Sequence, residues 1–432
     1  MLNESFLLDN FLASGKKEDD FEELVKEIDR HTLNLKRCIR NFIVISLKPE
    51  HLQKDPECLR GWHLDPLNPS NNGALKECAI PKSGNLKNKR FDVLVLETIG
   101  NNSMMLYDRE GNCCWFLSDF ATSTMAQRVG ITKGAIQQHS VERDLFLARK
   151  MNADEETTLV VKQYQQIGKI FAMMGGNYKH IPLYEMCVIY KDIMGENKLG
   201  AMECEGWNIT HEKATISFAF RDYAEEINVL YGLKRQIVPC VEMTTSDIGE
   251  SSFTVRGYWK TPDGAIVYDN TVALEHRGKI NQEKIETAVS KRIFDQYTKL
   301  PEKLAQLMEI DLTPFGLDLN GARNSGRNHK AICSVFSKAF KQMRLVDVIG
   351  KKRLTSLERY IDWTLIQDTM HYTAYDIIMD IFSLTETMKT YFENENMKPE
   401  LIRKFRKKTS TAAYDVNFSE IFQDISNMSL TS

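Results

Sequence analysis

The fold of this chain is decided by residues 207–308, whose first two runs read WNITHEKATISFAF (207–220) and QIVPCVEMTTSDIGESSFTVRGYWK (236–260). Apolar and polar residues alternate in both runs, as they do in strands that bury one face. The first run predicts a strand over Asn208–Phe220. The second predicts a long strand region that is broken at Gly249.

A turn, a third strand and two helices complete this unit. The Pro-Asp-Gly sequence within Thr261–Gly264 predicts a tight turn, because Pro presets φ and Gly tolerates positive φ. A third strand is predicted at Ala265–His276, a short helix at Asp222–Leu230 and a long helix from about Asn281. The unit is therefore an antiparallel β-β-β-α arrangement, and the predicted class is α+β.

The rest of the chain predicts three further regions around the central α+β domain at 155–310. Residues 1–90 are predicted to be a helical, acidic N-terminal region with an exposed loop. Residues 91–154 are predicted to form a hairpin and a helix-turn-helix-like segment, and residues 311–432 a helical, basic C-terminal region. Within the central domain, apolar spacing predicts a helix over Glu155–Ala172.

Composition limits the class of protein. The chain has 432 residues, of which 42% are hydrophobic and 27% charged, as expected for globular domains with a real core. No apolar run is long enough for a membrane span, and the N-terminus lacks a basic signal region, so a cytoplasmic protein without membrane contact is predicted. The nine cysteines lack C-x-x-C spacing and the histidines are scattered, which predicts reduced thiols and no metal or cofactor.

Charge is distributed unevenly along the chain. Residues 1–30 carry nine acidic and four basic side chains, whereas residues 323–359 carry ten Lys and Arg and two acids. Five more cations lie in residues 403–408. A basic C-terminal third indicates contact with nucleic acid, the alternative being a solvated helical surface. The predicted phosphate contacts are Lys338, Lys341, Arg344, Lys351, Lys352, Arg353, Arg403, Lys404, Arg406 and Lys407.

The segment from Ser118 to Phe146 has helix-turn-helix spacing. Ala126, Gly130 and Ile136 supply a small residue at the helix crossing, a turn glycine and an apolar anchor. In a DNA complex the groove would be faced by Thr132, Lys133, Gln137 and Gln138. The alternative is a helical hairpin that serves packing alone.

Five stretches resemble a phage and plasmid protein family of unknown function: Leu117–Ile131, Leu147–Asn152, Val238–Phe253, His276–Gly278 and Thr373–Ile377. The resemblance runs from about residue 90 to residue 390 and implies a mobile-element origin. The chain departs from the family near 262–270, where the family places a Cys-Asn pair.

The β-β-β-α unit also resembles the core of Rad52-like phage single-strand annealing proteins. That resemblance implies a curved sheet and a helix lining a basic groove, a ring-shaped homo-oligomer, and a single DNA strand held by its phosphates. Independently of this resemblance, Tyr258, Trp259 and Phe405 are candidate stacking platforms for bases, the alternative for each being a place in the core.

Two other functions remain open on the sequence. The acidic N-terminus and an acidic C-terminal tail could contact other proteins, which would make the chain a structural or host-interaction protein. An enzyme would require convergence of Asp247, Glu250, Glu275 and His276 for metal binding or acid–base chemistry. We predict that the chain is not an enzyme.

Overall fold

The computed structural model describes residues 2, 4–47, 60–64, 76–79, 104–111, 113–131, 141–151, 154–164, 167–195, 199–250, 252–262, 266–274, 287–309, 325–364, 373–382, 384, 389–412, 416–417 and 420–421. Two sheets and a set of helices make up these ranges, which confirms the α+β class.

The strands are β1 (Leu12–Gly15), β2 (Thr32–Cys38), β3 (Phe42–Leu47), β4 (Arg60–Leu64), β5 (Lys76–Ala79), β6 (Met104–Asp108), β7 (Cys113–Leu117), β8 (Glu156–Tyr164), β9 (Ile167–Gly175), β10 (Glu203–Thr210), β11 (Ala214–Ala219), β12 (Val238–Thr245), β13 (Phe253–Lys260) and β14 (Ile266–Leu274). The helices are α1 (Glu18–Arg30), α2 (Asp119–Arg128), α3 (Val141–Lys150), α4 (Leu183–Gly195), α5 (Arg221–Leu230), α6 (Asp295–Met308), α7 (Ser325–Gln342), α8 (Val346–Ile349), α9 (Lys351–Thr364), α10 (Ala374–Phe382), α11 (Lys389–Asn394) and α12 (Pro399–Ala412). A π-helical turn, Ser290–Phe294, leads into α6.

The six-stranded sheet, called sheet I, has the order β1-β10-β11-β12-β13-β14 with antiparallel pairing throughout. The predicted β12, β13 and β14 are present, with Phe253 and Val255 buried and Thr254 and Arg256 on the opposite, partly exposed face. Alternation therefore predicted these strands correctly, because the main core packs on one face of sheet I and the other face carries only a small buried cluster around Cys240 among the described residues.

The predicted strand over Asn208–Phe220 is instead a hairpin of β10 and β11. The turn is closed by Thr210, whose N–H donates to the Lys213 carbonyl at 2.8 Å and whose Oγ1 accepts from the N–H groups of Glu212 and Lys213. This turn is closed by a threonine hydroxyl, whereas the turns that can be recognised in a sequence usually contain Gly or Pro.

The eight-stranded sheet, called sheet II, has the order β2-β8-β9-β7-β6-β3-β4-β5, and β7 and β9 run parallel. The helix predicted over Glu155–Ala172 is wrong, since this range forms the hairpin of β8 and β9. Leu159 and Val161 pack on one face of sheet II and Val160 packs on the other. A strand that is buried on both faces gives a continuous apolar run, which cannot be separated from a buried helix by periodicity.

The N-terminal region is also less helical than predicted. The described part of residues 1–90 contains one α-helix, α1, with Phe21, Val25 and Ile28 buried, together with strands β1 to β5. Strand β1 joins sheet I and β2 joins sheet II, so this region supplies edges to both sheets.

One apolar core runs through most of the described molecule. It contains Phe6 from the N-terminal turn, Phe171 from sheet II, Trp259 from sheet I, and Phe340 and Phe405 from the C-terminal helices. A second core lies on the far face of sheet II under α2 and α3. The main core crosses the domain boundaries expected from the sequence, and those boundaries stay a prediction. No helix in the described ranges is long and apolar enough to cross a membrane.

Candidate nucleic-acid interface

The two basic stretches of the C-terminal third lie on helices that contact one another. Helix α7 packs on α9, and the short α8 packs on both α9 and α12. The rings of Phe392 and Phe405 meet at 5.2 Å between centroids, and the Tyr391 hydroxyl donates to the Arg353 carbonyl at 3.1 Å. Cations that are about fifty residues apart in sequence are therefore carried by neighbouring elements.

Two left-handed residues shape the connection between α7 and α9. Arg344 has φ 56° at the end of α7, and Gly350 has φ 79° immediately before α9. Between them, Leu345 and Ile349 are buried and anchor α8 to the core. The chain therefore turns at both ends of α8, between two helices that contact each other.

Most of the predicted phosphate contacts reach solvent. The exposed members are Lys341, Arg344, Lys351, Lys352, Arg403, Lys404 and Lys407, and the partly buried ones are Lys338, Arg353 and Arg406. Within this set, Asp347 lies 3.0 Å from Arg344, and Glu400 lies 3.1 Å from Lys404. Surface ion pairs of this kind contribute little to stability.

Helix α9 begins with three consecutive cations, Lys351, Lys352 and Arg353, and its first turn contains no acidic residue. Cations at a helix N-terminus oppose the helix dipole, whereas an anion there is stabilised by the dipole and by backbone N–H groups. A depression of about 510 Å³ opens at this point, lined by Ser356 and Glu395 besides the helix start. The charge distribution is that of a surface suited to phosphate.

The three aromatic residues considered for stacking on bases are buried or nearly so. Trp259 and Phe405 are fully buried, Trp259 with its ring edge-on to Tyr297 at 5.2 Å. Neither can stack on a base in this conformation. Tyr258 is 9% exposed and is covered by the Arg256 guanidinium at 4.9 Å from its ring centre. Trp259 and Phe405 therefore have the core role that the sequence allowed as the alternative to stacking.

The helix-turn-helix-like segment is described up to Ile131 and again from Val141. Ser118 caps α2 by accepting from the Ala121 N–H at 3.0 Å, Ala126 is buried, and Gly130 has φ 77° just after the helix. Helix α2 lies against β9 of sheet II. The anchor Ile136 and the four predicted groove residues, Thr132, Lys133, Gln137 and Gln138, lie outside the described residues, so DNA contact by this segment stays a prediction.

Asp247 has a structural partner that the sequence did not reveal. Its Oδ2 lies 2.8 Å from the Lys162 Nζ, and both side chains are buried. The contact is electrostatic, since no described donor points at Oδ2 with hydrogen-bond geometry. The turn after Asp247 is closed by the Ser246 hydroxyl, which accepts from the Glu250 N–H at 3.2 Å. Glu275 and His276, the other members of the hypothetical enzyme site, lie outside the described residues.

A second buried lysine, Lys169, was also missed by sequence reasoning. Its Nζ lies 3.1 Å from Asp9 Oδ1 and donates to the Leu7 carbonyl, also at 3.1 Å. Burial lowers the pKa of Lys169, and the neighbouring Asp9 carboxylate opposes that shift. The only sequence signal was a single lysine inside each apolar run of β8 and β9. Among the described residues, no group of three or more His, Cys, Asp or Glu is placed to hold a metal ion.

Two acidic side chains of helix α1, Glu18 and Glu22, form ion pairs with Lys191 of α4. The pairs of Glu22 and Glu18 with Lys191 join α1 to α4, and Glu22 also pairs with Lys26 on α1 itself. Hydrogen bonds from Lys191 and Lys26 lower the pKa of Glu22 to about 2. These ion pairs therefore fix the acidic helix α1 to α4.

Comparison of the chain with protein-family models, curated proteins and solved structures found no match. Function must therefore be inferred from the chain's own residues and geometry.

Proposed function

We propose that this is a nucleic-acid-binding protein encoded by a phage or plasmid, which binds and anneals single DNA strands in recombination or replication. It would act in the cytoplasm of a bacterial host and would assemble as a homo-oligomer. The observation that carries the proposal is the contact between α8 and α12, because it joins the cations of 338–353 to those of 403–407.

The proposal follows from the physics of polyanions. Nucleic-acid affinity arises mainly when Lys and Arg displace the counterions of phosphates, and it needs no particular base sequence. The ten cations on adjacent helices would supply this displacement of counterions. The start of α9 adds backbone N–H groups and a favourable dipole, which would hold one phosphate in a fixed place.

The test is a comparison of two matched triple variants. Lys351→Gln, Lys352→Gln and Arg353→Gln together should weaken binding to single-stranded DNA by at least tenfold at low salt. The control replaces Lys179, Lys213 and Lys299, three exposed lysines on other parts of the fold, by Gln. Equal affinities in the two triple variants would mean that net charge alone governs binding, which would refute a localised interface.

A second candidate function is protein–protein contact without catalysis. The end of α5 exposes Val229 (83%) and Leu230 (69%) beside a groove of about 650 Å³ between α5 and the ends of β12 and β13. Adjacent exposed aliphatic residues at a groove favour a protein partner. Val229→Ser with Leu230→Ser should abolish a stoichiometric complex in a pull-down if this candidate is correct, and should leave DNA affinity unchanged.

A further inference from the structure

A depression of about 370 Å³ opens between α2, the end of β9 and the loop that follows β12. The side chains around it include Phe120, Ser123, Gln127, Arg128, Met174 and Glu250. None of its described lining residues belongs to the ten cations proposed to contact phosphates. Ligand pockets begin at about 300 Å³, so this one has room for a single small group.

The three walls of the depression are held together by close contacts. The Thr124 hydroxyl of α2 accepts from the Met173 N–H of β9 at 2.9 Å. In the loop after β12, Gly249 has φ 76°, and a Cβ added there would lie 2.7 Å from Met174 Cε and 3.1 Å from the Tyr178 ring. Both α2 and this loop therefore lie directly against the end of β9, and the depression is part of the folded structure.

Arg128, at the end of α2, brings a fixed hydrogen-bond donor to the lining. Its Nη2 pairs with the Glu155 carboxylate, and its Nη1 lies 3.2 Å from the position that a Cβ on Gly175 would take. The guanidinium is therefore held against backbone that has no side chain. Its Nε is buried and has no hydrogen-bond partner in the described part of the chain. Since a buried donor without a partner is costly, an acceptor supplied by a ligand would be favourable here.

The charges around the depression do not favour a phosphate. Arg128 is the only cation among the described lining residues and is already paired with Glu155, while Glu250 adds a carboxylate. A phosphate would therefore meet as much negative charge as positive. A neutral group with both donors and acceptors suits the lining better, because Arg128 donates, Glu250 accepts and the Gln127 amide can do either.

Phe120 and Met174 give the same depression two half-buried apolar side chains. Aromatic rings and thioether sulfur both make favourable contacts with flat aromatic groups. A nucleobase is a flat ring system with a polar edge, and proteins that bind single strands hold bases by stacking and by hydrogen bonds to that edge. Phe120 thus supplies the partly exposed ring that Trp259 and Phe405 do not.

We propose that this depression is a pocket for one nucleobase of a bound single strand, with Phe120 and Met174 against the face of the base and Arg128 and Gln127 at its polar edge. This inference rests on the proposed function, and it adds a base contact to a surface that contacts phosphates. It predicts that part of the affinity depends on bases and is lost when the depression is filled.

The experiment measures the affinity of the full chain for two strands of equal length, a mixed-sequence single-stranded DNA and the same sugar–phosphate chain without bases. Ser123→Phe fills the depression and removes a hydroxyl that donates to the Asp119 carbonyl of its own helix, at 3.0 Å. The wild type should prefer the strand with bases. Ser123→Phe should weaken binding of that strand by about fivefold or more, the least expected for one stacked base, and leave the abasic strand unaffected.

The matched control is Thr298→Phe on α6. Thr298 is exposed, and its hydroxyl also donates within its own helix, to the Asp295 carbonyl at 2.9 Å. This variant should change neither affinity. Gln127→Ala, at an exposed lining position, serves if Ser123→Phe does not fold, and it should weaken binding of the strand with bases alone by about threefold, as for one lost hydrogen bond.

Three results would overturn the base pocket while leaving phosphate binding intact. They are equal weakening of both strands by a folded pocket variant, unchanged affinities in the pocket variants, and a wild type that binds both strands equally well. A wild type that binds neither strand would contradict the proposed function itself.

Discussion

At the residue scale, the interior holds two lysines side by side. Lys162 on β8 and Lys169 on β9 are direct partners across the antiparallel ladder, both are fully buried, and both lie within 6 Å of the Phe171 ring centre. Like charges opposite one another destabilise a sheet, so each lysine needs its own carboxylate. Asp247, in the loop after β12, pairs with Lys162, and Asp9, in the N-terminal turn, pairs with Lys169. The two ion pairs therefore connect both of these segments to sheet II.

The Lys162–Asp247 pair should behave as a coupled unit. Asp247→Asn leaves a buried ammonium without its partner and should cost about 3–5 kcal/mol of unfolding free energy, and Lys162→Met should cost a similar amount. The double variant should cost much less than the sum, because neither charge is then stranded. Chemical denaturation of the wild type, the two single variants and the double variant completes a double-mutant cycle. Additive losses of unfolding free energy would show that the two groups do not interact.

Glu22 gives the fold an acid-sensitive contact between α1 and α4. Its pKa of about 2 lies below its ordinary value of 4.5, so its stabilising effect is complete above pH 4.5 and is lost as pH falls towards 2. Glu22→Gln should therefore reduce the unfolding free energy by on the order of 1 kcal/mol at pH 7, since Lys191 is half exposed and solvent screens the pair. Denaturation at pH 7 and pH 3 should show this difference shrinking; a difference that stays constant with pH would assign the effect to packing.

At the element scale, strands β12, β13 and β14 of sheet I could be predicted from sequence, whereas most of sheet II could not. In β13, Phe253 and Val255 face the core while Thr254 and Arg256 face away, which gives the period of two that identifies a half-buried strand. In β8 and β9 both faces are packed, so the period disappears and a helix was predicted. The β10–β11 turn was missed because a threonine hydroxyl closes it.

Close packing of the π-helical turn and α6 on sheet I depends on Gly257 in β13. A Cβ added to Gly257 would lie 2.3 Å from Ile293 Cγ2 and 3.0 Å from the Tyr297 hydroxyl, so Gly257→Ala would push the π-helical turn and α6 off the sheet. We expect a loss of about 1–3 kcal/mol in unfolding free energy, the usual range for overpacking.

Gly206 in β10 is the matched control for that substitution. A Cβ there would meet only the Gly15 carbonyl oxygen, at 3.4 Å, which is an acceptable contact. Gly206→Ala should therefore be nearly neutral in the same thermal unfolding measurement. Equal losses in the two variants would point to a general cost of alanine in this sheet and against the Gly257 contact.

At the scale of the whole molecule, the sequence identified the basic residues but could not bring them together. The cations form two runs that are separate in the sequence, Lys338 to Arg353 and Arg403 to Lys407. The two runs are brought together by the packing of α8 on α12 and of Phe392 on Phe405. Contacts between residues this far apart in the chain leave no local pattern in composition or periodicity. The core that joins the N-terminal turn to the C-terminal helices was hidden for the same reason.

Salt dependence of binding tests the central claim most directly. With about four to six phosphates contacted, the logarithm of the association constant for a short single-stranded DNA should fall linearly with the logarithm of salt concentration, with a slope of about −3 to −4. Filter binding of the wild-type chain across a range from low to moderate salt supplies the measurement. A steep line of that slope is the predicted result, and a flat titration, or no retained DNA at the lowest salt, would contradict it.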